Sequence, residues 1–96
     1  MLLTSGDLKA RLAHTDFPVL LIAELGINHN ADHKLACDMM QAAMDNGATG
    51  VKLQSYTTDL FINKNAKDVS GLIDIFKQFE LSLGAHEKCV DFAIRN

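Results

Sequence analysis

The chain alternates between runs with strand periodicity and runs with helix periodicity. Residues 5–14, SGDLKARLAH, place Leu8 and Leu12 on one helical face, with Ser5 as N-cap. Residues 16–18 break that helix, and Pro18 enters an extended segment. Residues 19–25, VLLIAEL, are near-continuously apolar, the pattern of a parallel strand covered on both faces. Residues 26–31 form a loop. Residues 32–46 predict a helix with Leu35, Met39, Ala42 and Ala43 as its packing stripe and Gly47 as its C-terminal stop.

A second strand is expected over residues 48–54, with Val51 and Leu53 on one side and Lys52 and Gln54 on the other. Residues 55–69, SYTTDLFINKNAKDV, read as a long polar loop with aromatic interruptions. Residues 70–79 are again helical, with Leu72, Ile73, Phe76 and Phe79 facing inward. Ser82 caps a last helix running through Cys89, Val90, Ala93 and Ile94. Strand, helix, strand, helix implies a parallel sheet with a right-handed crossover. Two parallel strands do not make a covered sheet, so residues 1–18 read as a lead-in and 19–96 as the opening of a larger α/β domain.

Composition narrows the class. A hydrophobic content of 48%, 22% charged residues and one proline among 96 residues exclude a disordered or fibrous chain. A formal net charge of −3 gives no reason to expect nucleic acid or an anionic membrane as partner. The longest apolar run is far too short to span a bilayer, and no signal-peptide pattern is present, so a cytoplasmic protein is expected. Cys37 and Cys89 fit no metal-ligand spacing and read as free thiols in a reducing compartment.

The candidate chemistry lies at the strand ends. Glu24 stands one residue before the end of the first strand, and Lys52 and Gln54 hold the matching place on the second. Active sites of parallel α/β folds lie at these C-terminal ends. A charge in an apolar sheet is costly unless it is paired or used. Two readings follow: Glu24 and Lys52 neutralise each other, or they act on a polar ligand. His29 and His33 have the spacing of a helical metal pair but lack a third ligand, so His29 is expected to fix its loop by hydrogen bonds. Met39, Met40 and Met44 read as core filler. Gly26 lacks the companions of a dinucleotide fingerprint, and no serine lies in a nucleophile elbow.

IAELGINHN at 22–30, NGATGVKLQSY at 46–56, and FELS at 79–82 followed by His86 together resemble the N-terminal part of the sialic acid synthase family. That family includes N-acetylneuraminate synthases and relatives acting on legionaminic and pseudaminic acids or in spore-coat polysaccharide synthesis. Its pattern is Ala-Glu-Ile-Gly-x-Asn-His, then Lys-Phe-Gln-x-Tyr or His. Leu25 stands for the isoleucine, Leu53 for the phenylalanine, and Ala31 for a common glycine, which makes a positive φ less accessible there.

The resemblance implies a (β/α)8 barrel, of which this chain would be the N-terminal βαβα portion, working as a homodimer. It implies condensation of phosphoenolpyruvate with N-acetylmannosamine, its 6-phosphate or a diacetamido sugar, with release of phosphate. In that reading Glu24 is catalytic, Lys52 binds the anionic groups of phosphoenolpyruvate and Gln54 hydrogen-bonds the sugar. Asn28 and His29 shape the first loop. The divalent metal it implies, manganese or magnesium, takes its ligands from outside this chain. The chain is expected to be a fragment, inactive alone. The alternative is a non-catalytic module that self-associates or binds a partner.

Overall fold

The computed structural model describes residues 5–13 and 19–96. The expectations on the side chains of Ser5, Leu8 and Leu12 and on residues 16–18 fall outside the described positions. The elements are α1 (Ser5–Ala13), β1 (Ile22–Gly26), α2 (His33–Asp45), β2 (Gly50–Leu53), α3 (Thr58–Phe61), α4 (Ser70–Phe79) and α5 (Leu83–Arg95). Among the described residues no helix is long and apolar enough to cross a membrane.

Local chemistry sets the ends of α2. Asp32 has extended backbone, and its carboxylate accepts the Lys34 N–H at 2.8 Å, satisfying one of the free amides of the first turn. At the other end the Ala48 N–H donates to the Ala43 carbonyl and the Gly47 N–H to the Met44 carbonyl. This is the paired closure of a Schellman turn, and it requires the left-handed φ of +92° at Gly47. Ser82 caps α5 in the same way as Asp32, its hydroxyl accepting the Ala85 N–H.

The two strands are parallel, with Ile22 opposite Gly50, Ala23 opposite Val51 and Glu24 opposite Lys52. The register then slips so that Gly26 faces Leu53, which leaves Leu25 as the extra residue of a bulge. One face of the sheet is covered. Leu25 is buried there with Ala36 and Met40 of α2, Ala85 and Cys89 of α5, and Leu81. Ala23, Val51 and Leu53 pack against this cluster.

Four expectations need correction, the first being that Leu72 of α4 faces inward: it is 45% exposed. The apolar run over 19–25 is not covered on both faces: Ile22, on the side of the sheet away from Ala23 and Leu25, is 54% exposed, and Val19 and Leu21, ahead of β1, are 91% and 56% exposed. Nothing among the described residues packs on the second face. The fully buried residues of α2 are Ala36 and Met40; of the expected stripe Met39 packs against the core, Leu35 and Ala43 are half-buried and Ala42 is exposed. Helical periodicity allows either stripe. The choice is made by α5, which packs on α2 from the side through the small residues Ala36 and Ala85. Residues 55–69 are not all loop: α3 forms within them. Tyr56 and Phe61 cluster with Phe76 of α4, with ring centroids 5.3–5.7 Å apart.

Both cysteines are free. Cys89 is buried, and burial together with the neighbouring Cys37 pushes its thiol up to about 11, so it stays protonated and inert at neutral pH.

Candidate functional site at the strand ends

The parallel register brings Glu24 and Lys52 side by side on the open face of the sheet. Lys52 Nζ lies 2.7 Å from Glu24 Oε2, and Glu24 Oε1 accepts the Gly26 N–H at 3.0 Å. The hydrogen bond from Lys52, then that from Gly26, holds the Glu24 carboxyl below its ordinary value, so it is ionised at neutral pH. The side chains of Glu24 and Lys52 are 52% and 70% exposed. An ion pair this exposed adds little stability. Gln54 follows on the same side; its N–H donates to the Gly26 carbonyl at 3.3 Å and its side chain is exposed.

The loop after β1 is held by its own groups. The Asn28 N–H donates to the Leu25 carbonyl, the Asn30 N–H to Ile27 and the Asp32 N–H to His29. Asn28 is exposed. His29 is fully buried, and its Nδ1 accepts the Ala31 N–H at 3.0 Å. The neutral ring therefore carries its hydrogen on Nε2, which has no partner among the described residues. His29 precedes α2, which begins at His33, so the two histidines do not share a helix face. Among the described residues no group of three or more His, Cys, Asp or Glu side chains is placed to hold a metal ion.

His29 gives the protein an acid-sensitive point. Burial, and then the nearby His86 of α5, holds its pKa below the ordinary 6.5. The unfolded chain takes up a proton near 6.5 that the folded chain refuses. The contribution is therefore complete above pH 6.5 and is lost as pH falls through the lower folded value. The depressed carboxylates Glu24 and Glu80 lose theirs only below about 4.5. Melting temperature should accordingly fall as pH drops below 6.5, and by less in His29→Gln. An equal fall in both proteins would remove His29 as the cause.

Asn30 and Ala31 take successive left-handed conformations, with φ of 53° and 62°. Ala31 thus adopts the backbone that its methyl group disfavours. Ala31→Gly should raise stability by about 0.5–1 kcal/mol, the net of relieved strain and the greater freedom of glycine when unfolded. Urea melts of the two proteins test this, and a lower midpoint for the glycine variant would contradict it.

The structure adds a set of residues at the end of β2 that the hydrophobic pattern did not reveal. Ser55 Oγ pairs with His86 Nε2, and Tyr56 Oη donates to the Phe76 carbonyl at 2.7 Å. Thr58, itself buried, donates its N–H and hydroxyl to Glu80 Oε2 at 3.0 and 2.7 Å. These two bonds, the hydroxyl's first, hold the Glu80 carboxyl below its usual range. The sequence signals for these anchors were the ends of two quoted motifs, Ser55 and Tyr56 in NGATGVKLQSY and Glu80 in FELS, with His86. A cavity of about 630 Å³ opens beside them between β2 and α5, lined by Met44, Val51, Leu53, Ser55, His86 and Phe92 among others.

Three curated proteins place these residues in context. The chain is 37% identical over 76 residues to the N,N'-diacetyllegionaminic acid synthase of Legionella pneumophila, covering 69% of this chain and 21% of that protein. It is 33% identical over 81 residues to the N,N'-diacetyllegionaminic acid synthase of Campylobacter jejuni, covering 74% and 24%. It is 39% identical over 72 residues to the pseudaminic acid synthase of Campylobacter jejuni, covering 71% and 21%. The chain spans about a fifth of the length of these curated relatives. No protein-family model matches the chain, and no solved structure matches it.

Proposed function

The chain belongs to the sialic acid synthase family, and on that premise we propose that residues 19–96 supply the first strand-end groups of a nonulosonic acid synthase. The reaction is condensation of phosphoenolpyruvate with a 2-acetamido sugar. The methylene carbon of phosphoenolpyruvate forms a bond to the open-chain sugar aldehyde. Water adds to the resulting oxocarbenium carbon and gives up a proton, and cleavage of the C–O bond releases inorganic phosphate.

The observation that carries this reading is the register pairing of Glu24 with Lys52 on the open face, with Gln54 next in line. So exposed a pair has little structural purpose. As a site it is chemically apt. Ionised Glu24 can stabilise the cationic carbon and accept the proton of the attacking water. The Lys52 ammonium suits the anionic groups of phosphoenolpyruvate, and the Gln54 amide offers a donor and an acceptor to sugar hydroxyl and acetamido groups.

The fold reading belongs to the same proposal: βαβα here is the opening of a (β/α)8 barrel. In support, β2 pairs only with β1 among the described residues, which leaves its other edge open to a further strand. A second reading, a self-associating module without catalysis, draws on the exposed Ile22 of the uncovered face and on the exposed Val19 and Leu21 just ahead of β1.

A chimera separates the two readings. Residues 19–96 replace the matching segment of the Legionella relative, and product is assayed with phosphoenolpyruvate and the amino sugar from which that enzyme makes N,N'-diacetyllegionaminic acid. Phosphate release that requires both substrates is expected. A folded chimera that releases none would overturn the synthase reading.

A further inference from the structure

His86 projects from the first turn of α5 and is engaged at both ring nitrogens. Its Nδ1 lies 3.0 Å from the Ser82 carbonyl oxygen, which also accepts the His86 main-chain N–H at 2.9 Å. A carbonyl only accepts, so in the neutral ring Nδ1 carries the hydrogen and Nε2 keeps its lone pair. Ser55 Oγ, 2.5 Å from Nε2, is then the donor. The result is one directed chain, from the Ser55 hydroxyl through the imidazole to the main chain at the start of α5.

Ser55 immediately follows Gln54. β2 is only four residues long, and beyond it the Gln54 N–H reaches the Gly26 carbonyl at 3.3 Å. Such an end would fray unless something beyond it were fixed. The Tyr56 and Thr58 anchors hold the chain farther on, against Phe76 and Glu80. Ser55 is the contact nearest to the strand.

We propose that His86 is a positioning residue for the strand-end site: through the Ser55 hydroxyl it holds the end of β2, and with it Lys52 and Gln54, in register with Glu24. The proposal rests on the reading of Lys52 and Gln54 as substrate-binding groups. His86 itself touches no reacting atom in this arrangement. Its effect passes through Ser55 to the backbone that carries those two side chains.

The test uses Ser55→Ala, His86→Ala, the double variant and Ser55→Thr, which keeps the hydroxyl. In the 96-residue chain, amide hydrogen exchange at Gln54 should quicken by about tenfold in either single variant, as expected for one lost hydrogen bond. It should quicken no further in the double variant and return to normal in Ser55→Thr, because the two residues form one contact. Unchanged exchange at Gln54 overturns the proposal. In the chimera, kcat/KM for phosphoenolpyruvate should fall by about tenfold, mainly through KM, equally in the single and double variants. Faster exchange with unaltered kinetics also overturns it. A folded but inactive unsubstituted chimera defeats the synthase reading instead, and the exchange result then decides by itself whether the His86–Ser55 anchor exists.

Discussion

Glu24→Gln in the chimera carrying residues 19–96 is expected to lower kcat by roughly 10²–10⁴-fold, the range for loss of a general acid–base group, while leaving the melting temperature nearly unchanged. The two expectations have separate physical origins. Glutamine has the shape of glutamate, and its Oε1 can still accept the Gly26 N–H that Glu24 accepts at 3.0 Å. The lost ion pair with Lys52 is solvent-exposed, and pairs of that kind contribute little to stability. What the amide lacks is the charge that stabilises an oxocarbenium carbon and the basicity to take a proton from water. Because Lys52 and Gly26 keep the carboxyl below its ordinary 4.5, activity should fall in acid only below that value. Melting temperature and kcat measured on one preparation decide the matter. A large fall in melting temperature with normal turnover per folded molecule would show Glu24 to be a structural counter-charge.

Lys52→Ala in the same chimera should raise KM for phosphoenolpyruvate by roughly 10–100-fold, the cost of one hydrogen bond to a charged group, and change the sugar KM much less. The Nζ of Lys52 reaches Glu24 from the adjacent strand, so its removal takes a charge from beside Glu24 without altering the backbone. With the ammonium gone, the Glu24 carboxyl loses the first cause of its depressed pKa, and the acid limb of kcat should move upward in pH. A KM for phosphoenolpyruvate equal to that of the parent chimera would take Lys52 out of the site. These signatures differ from that of Glu24→Gln, which acts on kcat, so the two substitutions assign distinct roles.

The sequence by itself determined most of the local elements and named the candidate site groups. Apolar runs around Ala23 and Val51 specified strands, Asp32 and Ser82 specified helix starts, and Gly47 specified a helix stop. Each of these rests on interactions within a few residues: a side chain bonding the next turn, a glycine tolerating positive φ, a period of two against one of 3.6. Strand parity also placed Lys52 and Gln54 on one side, opposite Val51 and Leu53. The motif resemblance was legible for the same reason, since it lies in short contiguous stretches.

Only the tertiary structure decided the relations between distant elements. Whether Glu24 faces Lys52 depends on the register of two strands 28 residues apart, which a one-residue slip would have reversed. The bulge at Leu25 and the burial of Ala36 and Met40 depend on which neighbour packs against each element, and that is set by α5, far along the chain. The anchors Ser55–His86 and Thr58–Glu80 span 31 and 22 residues, so no local pattern encodes them. The exposure of Val19, Leu21 and Ile22 likewise follows from what lies over the sheet rather than from their own apolar character. A side chain's polarity is written at its position, but burial is a property of what is brought against it.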